Sequence, residues 1–157
     1  MAKFKYRMQS ILNIKEKLEE QAKNEFAAAR MRLDEEEEKL KALTDRKLFY
    51  EQEGRRLRES ALNVLELNEN KNAIDRMDEF IAIQQIEVNR ASALLEQARI
   101  NLTNAMQEAQ IQNKLKEKAF EEFKKELIAE ESKEVDELTS YTYGSRLRQE
   151  AKSAENG

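Results

Sequence analysis

The sequence has no proline, cysteine, histidine or tryptophan, and only three glycines in 157 residues. Each absence excludes something. At average usage a chain of this length would carry about 11 Gly and about 8 Pro, so the turns that a sandwich or barrel needs every 8–12 residues are missing. Without cysteine there is no disulfide, no thiol nucleophile and no zinc–thiolate site. Without histidine there is no imidazole base and no switch that titrates near neutrality. Uncharged runs reach only eight residues, as at 100–107, far short of the ~18 apolar residues of a spanning helix. The start carries Lys3, Lys5 and Arg7, but Gln9, Ser10 and Asn13 interrupt what would be a signal h-region. A location in the cytoplasm is expected.

What is present is charge. There are 28 Lys and Arg against 32 Asp and Glu, a net charge of −4. That balance gives no bulk attraction to nucleic acid. Only five of the acids are Asp; Glu is at home inside helices, whereas Asp favours caps and turns. The 39% of apolar residues are periodic, which argues against disorder. Steps of three and four run from Ala22 through Phe26, Ala29, Leu33, Glu36, Leu40, Leu43, Lys47, Tyr50 and Gly54 to Leu57. Upstream, Phe4, Met8, Ile11, Ile14 and Leu18 follow a displaced frame, which implies a stutter between Ile14 and Phe26. A second frame runs from Ile74 through Met77, Ile81, Gln84, Val88, Ala91, Leu95, Ala98, Leu102 and Ala105 to Ala109. It then meets Gln112 and Lys116 before Ala119 and a last apolar group at Phe120, Phe123, Leu127 and Ile128. Two apolar positions in seven with charge elsewhere indicate coiled-coil seams.

Two turns compete between the frames. Residues 68–72 are loop-like in composition. Asn63 with Glu66 reads instead as a capping box, preceded by Arg55, Arg56 and Arg58, cations suited to a helix C-terminus. The second wins. The expected fold is all-α: one antiparallel coiled-coil hairpin over 1–143, with helices over about 4–59 and 64–143 and a turn at about 59–63. Gly144 marks the stop, and 144–157 is a polar tail expected to be disordered.

Chemistry is hard to find. Glu35, Glu36, Glu37 and Glu38 are consecutive on a helix and diverge too widely to hold one cation. No Gly-rich phosphate loop is present. No catalytic, cofactor-binding or metal-binding residue is assigned, and neither nucleic acid nor a small-molecule substrate is expected. In the run Leu48, Phe49, Tyr50 the frame gives the seam to Tyr50, which turns Phe49 outward; Phe80 likewise lies one position off its seam. Either long side chains lap over a thin seam, or these aromatics form a partner-binding patch.

Three stretches carry a resemblance: FKYRMQSILNIKEKLEE at 4–20, LKAL at 40–43 followed by Tyr50, and KEVDE at 133–137. In order and spacing they resemble the FliJ family of flagellar export proteins. The resemblance implies a hairpin similar to the stalk subunit of rotary ATPases, working without catalysis in flagellar type III export. It implies that the termini enter the pore of the hexameric export ATPase, with Met8, Leu12, Phe120, Phe123, Asp136 and Glu137 as contacts. It implies that the tip region meets the cytoplasmic domain of the export gate through Leu43, Arg46, Tyr50, Met77, Phe80 and Gln84, to which the patch reading adds Phe49. Export chaperones are further implied partners, and the implied location is peripheral, at the cytoplasmic face of the cell membrane. A holdase chaperone of the prefoldin kind and a structural parallel dimer are the rival readings. The first lacks a strand-bearing segment; the second is opposed by the break at 59–63.

Overall fold

The computed structural model describes residues 2–60 and 63–156. Two helices account for nearly all of them: α1, Gln9–Glu59, and α2, Val64–Glu155. They pack against each other as a helical hairpin, and no strand occurs among the described residues. No helix is long and apolar enough to cross a membrane among these residues.

α1 ends at Glu59 and α2 begins at Val64, the bounds expected on either side of the turn. Asn63 caps α2: its Oδ1 accepts from the backbone N–H groups of Leu65 (3.1 Å) and Glu66 (3.4 Å), satisfying donors that a helix start leaves unpaired. Arg56 and Arg58 stand in the last turn of α1, beside its unpaired carbonyls. Residues 61 and 62, inside the expected turn, lie outside the described residues. The rival turn at 68–72 is helical.

Three expectations are corrected. α1 begins at Gln9 rather than near residue 4. Its first turn has no acid, and Lys3, Lys5 and Arg7 would add positive charge to the positive end of the dipole. At the other end α2 passes through Gly144 to Glu155. That glycine keeps a negative φ; without a following proline it costs a helix only about 1 kcal/mol. The third correction concerns the stutter. α1 keeps one frame back to its start, with Glu19, Lys15 and Leu12 on the seam side, while Met8, Ile11, Ile14 and Leu18 are exposed. The two charged seam residues reach out of the seam: Lys15 Nζ lies 2.7 Å from Glu108 and Glu19 lies 3.3 Å from Lys23. Long stems can lie along an apolar surface while the charge stays wet, so the helix needs no local unwinding to keep its register.

By contacts the chain divides into two units: Ile14–Ala109, and the two end segments Met1–Asn13 and Gln110–Gly157 together. In the first unit the pairing is antiparallel: Lys15 meets Glu108, Glu36 meets Gln84, Lys47 meets Asp78 and Tyr50 meets Asn70. Its buried apolar residues are mostly small, with Ala22, Ala91, Ala98 and Ala109 beside Met77 and Val88. Small side chains bring helices close and bury little area, so the seam is thin. In the second unit Phe4 packs edge-on against Phe120 at 5.1 Å and tilted against Phe123 at 5.5 Å. Leu12 is the most buried side chain, 1% exposed. From Ile128 to Tyr143 every side chain of α2 is exposed.

Candidate functional site

Among the described residues no cluster of acids could hold a metal ion. The functional candidates are therefore surfaces, and they separate between the two units. Leu43, Arg46, Phe49, Tyr50, Met77, Phe80 and Gln84 all belong to the 14–109 unit; Met8, Leu12, Phe120, Phe123, Asp136 and Glu137 all belong to the other.

In the 14–109 unit the seam takes Leu43, Tyr50, Met77 and Gln84, which are half-buried or buried. Arg46, Phe49 and Phe80 are exposed, the two rings by 55% and 48%. With the seam at a and d, Arg46 and Phe80 both fall at g and Phe49 at the neighbouring c, so the three share one side of the helix pair. Phe49 leans edge-on against Tyr50, ring centres 5.8 Å apart, which fixes its plane without covering it. Ile83 is a further exposed apolar residue one turn from Phe80. Sequence reasoning passed over it; the signal was an apolar residue off the frame, the criterion that singled out Phe80.

Gln84 is committed inside the seam. Its Nε2 donates to the Glu36 backbone carbonyl at 2.9 Å and to the Glu36 carboxylate at 2.6 Å. Glu36 is 3% exposed, and Arg32 (3.1 Å) and Lys39 (3.3 Å) pair with its other oxygen. The bond from Gln84 holds the carboxyl below its ordinary pKa, against burial, with Lys39 and Arg32 adding to the effect. A buried carboxylate with every acceptor engaged is a register device, because sliding either helix strands a charge. Nearer the turn, Asn70 Nδ2 donates to the Tyr50 carbonyl at 2.8 Å. Its side chain lies over Gly54, where a Cβ would stand 2.5 Å from Oδ1. A Cβ there would have to push the Asn70 amide aside, while the φ of Gly54 is ordinary.

In the other unit a groove runs between the N-terminal segment and α2, lined by Phe4, Tyr6, Met8, Leu115 and Phe123 with Lys3 and Glu126 at its rim. Tyr6 Oη donates to Gln112 across it at 3.4 Å, and Lys124 caps the Phe120 ring at 4.8 Å. Met8 and Phe120 are accessible at 41% and 39%. Asp136 and Glu137 are exposed on the part of α2 beyond Phe123. Leu12, in contrast, is sealed in the seam and offers no surface while the helices stay paired.

The family model described as "Flagellar FliJ protein" matches residues 4–148. No curated protein and no solved structure matches the chain. With nearly its whole length covered, the chain belongs to the FliJ family, and membership gives it a role in flagellar protein export.

Proposed function

We propose that this FliJ-family chain is a non-enzymatic stalk and adaptor of the flagellar export apparatus. Its paired end segments occupy the pore of the hexameric export ATPase, and the side bearing Arg46, Phe49 and Phe80 meets the cytoplasmic domain of the export gate. Export chaperones are further partners, and the chain works peripherally at the cytoplasmic face of the membrane. The observation that carries this reading is the separation of surfaces. One unit presents exposed aromatics beside a cation, the side-chain types that anchor protein interfaces. The other pairs short apolar rings around a groove and continues as bare helix. Two partners can then be held without competing for one surface.

The test is a pull-down with two baits, the gate's cytoplasmic domain and the export ATPase. Phe49→Ala with Phe80→Ala should weaken gate capture at least tenfold and leave helicity and ATPase capture unchanged. Phe4→Ala with Phe120→Ala should do the reverse. If Phe49→Ala lowers the unfolding midpoint as a core truncation does, Phe49 is packing and the gate surface is misplaced.

A further inference from the structure

The bare end of α2 has a pattern unrelated to the hairpin seam. Continued past Phe123, the hairpin frame meets only Glu126, Glu130, Lys133 and Glu137, so it ends there. A new row starts two residues out of phase, about 200° round the helix: Ile128, Val135, Leu138 and Thr142, with Glu131 as the one charged position among them. Ile128, Val135 and Leu138 are 65%, 59% and 66% exposed. This row was therefore not placed to extend the pairing with α1.

Its flank is charged in an ordered way. With Val135 at a and Leu138 at d, the g positions are Glu134, Tyr141 and Arg148. Glu134, Leu138 and Tyr141 do share one face. In an antiparallel pair of helices g faces g. A copy of the same helix turned about a dyad at Tyr141 sets Glu134 against Arg148, Arg148 against Glu134, and the two Tyr141 rings against each other. The a and d rows fall into step in the same register, Leu138 against Thr142 on both sides of the axis. Further out, Ile128 comes opposite Lys152, whose stem can cover it while the ammonium stays in water. The opposite flank at e is Ser132, Thr139, Arg146 and Ser153, with no acid to set a competing register.

We propose that this segment, 128–152, is a self-complementary docking surface, and that its occupant is the same segment of a second copy, bound antiparallel about Tyr141. The pairing is isologous, so the contact between Glu134 and Arg148 forms twice. With only three apolar residues per helix in the row it is a weak association, assembled at high local concentration. It does not depend on the stalk reading, since neither the ATPase nor the gate takes part.

The experiment uses the full chain alone. Sedimentation velocity should show a monomer–dimer equilibrium that shifts toward monomer as salt is raised. Glu134→Arg and Arg148→Glu should each abolish the dimer while helicity stays unchanged, because both positions are exposed. The double exchange should restore it. So should mixing the two single variants in equal amounts, since one chain then carries cations at both g positions and the other anions. The chain lacks cysteine, so a single spin label at Ser132→Cys reports orientation. Antiparallel pairing puts the two labels about 27 Å apart along the axis at 1.5 Å per residue, and parallel pairing puts them side by side. A monomer at every concentration, side-by-side labels, or no recovery by the mixed single variants overturns the proposal.

Discussion

Gly54 and Glu36 show how single residues set the register of a thin seam. Alanine normally stabilises a helix interior by about 1 kcal/mol over glycine. At Gly54 the new methyl would meet Asn70 Oδ1 and displace the amide from the Tyr50 carbonyl. Overpacking costs about 1–3 kcal/mol and loss of the part-buried hydrogen bond about 1 kcal/mol, so Gly54→Ala should lower the urea midpoint. In an Asn70→Ala background the obstacle is gone, and the same substitution should raise it. Urea titrations of the four chains check the sign reversal; a stabilising Gly54→Ala in the native background would show that the approach is not tight. Glu36 makes a pH prediction. Its folded pKa lies below the ordinary 4.5, so the folded state favours the carboxylate. The resulting stability is present above 4.5 and is lost as pH falls through the depressed value. Glu36→Gln should flatten the acid limb of the stability curve while lowering stability at pH 7. Lys47 acts at the other extreme. Asp78, hydrogen-bonded to it at 2.6 Å, raises its pKa above 10.5, so its contribution is present below that value and fades as pH rises through the raised one.

At the scale of the helices, the seam can be read from deletions. Leu12 is sealed while Ile14 is 56% exposed; a stuttered frame would reverse their roles. Leu12→Ala should cost about 2 kcal/mol, the low end for a buried leucine in a core free to close up. Ile14→Ala should stay within about 0.5 kcal/mol, as surface changes do. Thermal unfolding followed by circular dichroism distinguishes the two, and equal effects would reinstate the displaced frame. Much of this architecture was legible. Two helices, their antiparallel pairing and the Asn63 cap follow from periodicity, missing proline and one cap motif. The frame from Ala22 to Leu57 and that from Ile74 to Ala109 coincide with the less exposed positions. The errors have two causes. Following Met8, Ile11, Ile14 and Leu18 assumed that apolar residues claim the seam, but Lys15 and Glu19 can lie there with their charges outside. Stopping at Gly144 treated a modest propensity cost as a terminator. Among the candidate contacts, exposure of Phe49 and Phe80 could be inferred from their offset to the frame. Burial of Leu12 could not, because it depends on which of two frames wins.

For the molecule as a whole, the two units should differ in stability because their contacts differ in kind. The 14–109 unit has a continuous seam, the Glu36–Gln84 layer and cross-helix ion pairs. Among the described residues the end segments are held by one buried leucine, three rings and a long hydrogen bond, and the side chains of α2 from Ile128 to Tyr143 are exposed. Local opening follows contact density, so amides at 2–15 and 115–143 should exchange quickly in the free chain, while 33–57 and 81–102 exchange slowly. If the end segments sit in the ATPase pore, adding the hexamer should protect the first set strongly and leave the second unchanged. The self-pairing proposed for 128–152 sharpens the experiment, because that surface cannot be in a pore and against another copy at once. Raising the concentration of chain alone should protect 128–152 but not 2–15; adding hexamer should protect both and dissolve the dimer. End segments equally protected with and without the ring would remove the physical case for pore insertion. Protection of 2–15 that rises with chain concentration alone would show that copies meet through the rings instead of the bare helix.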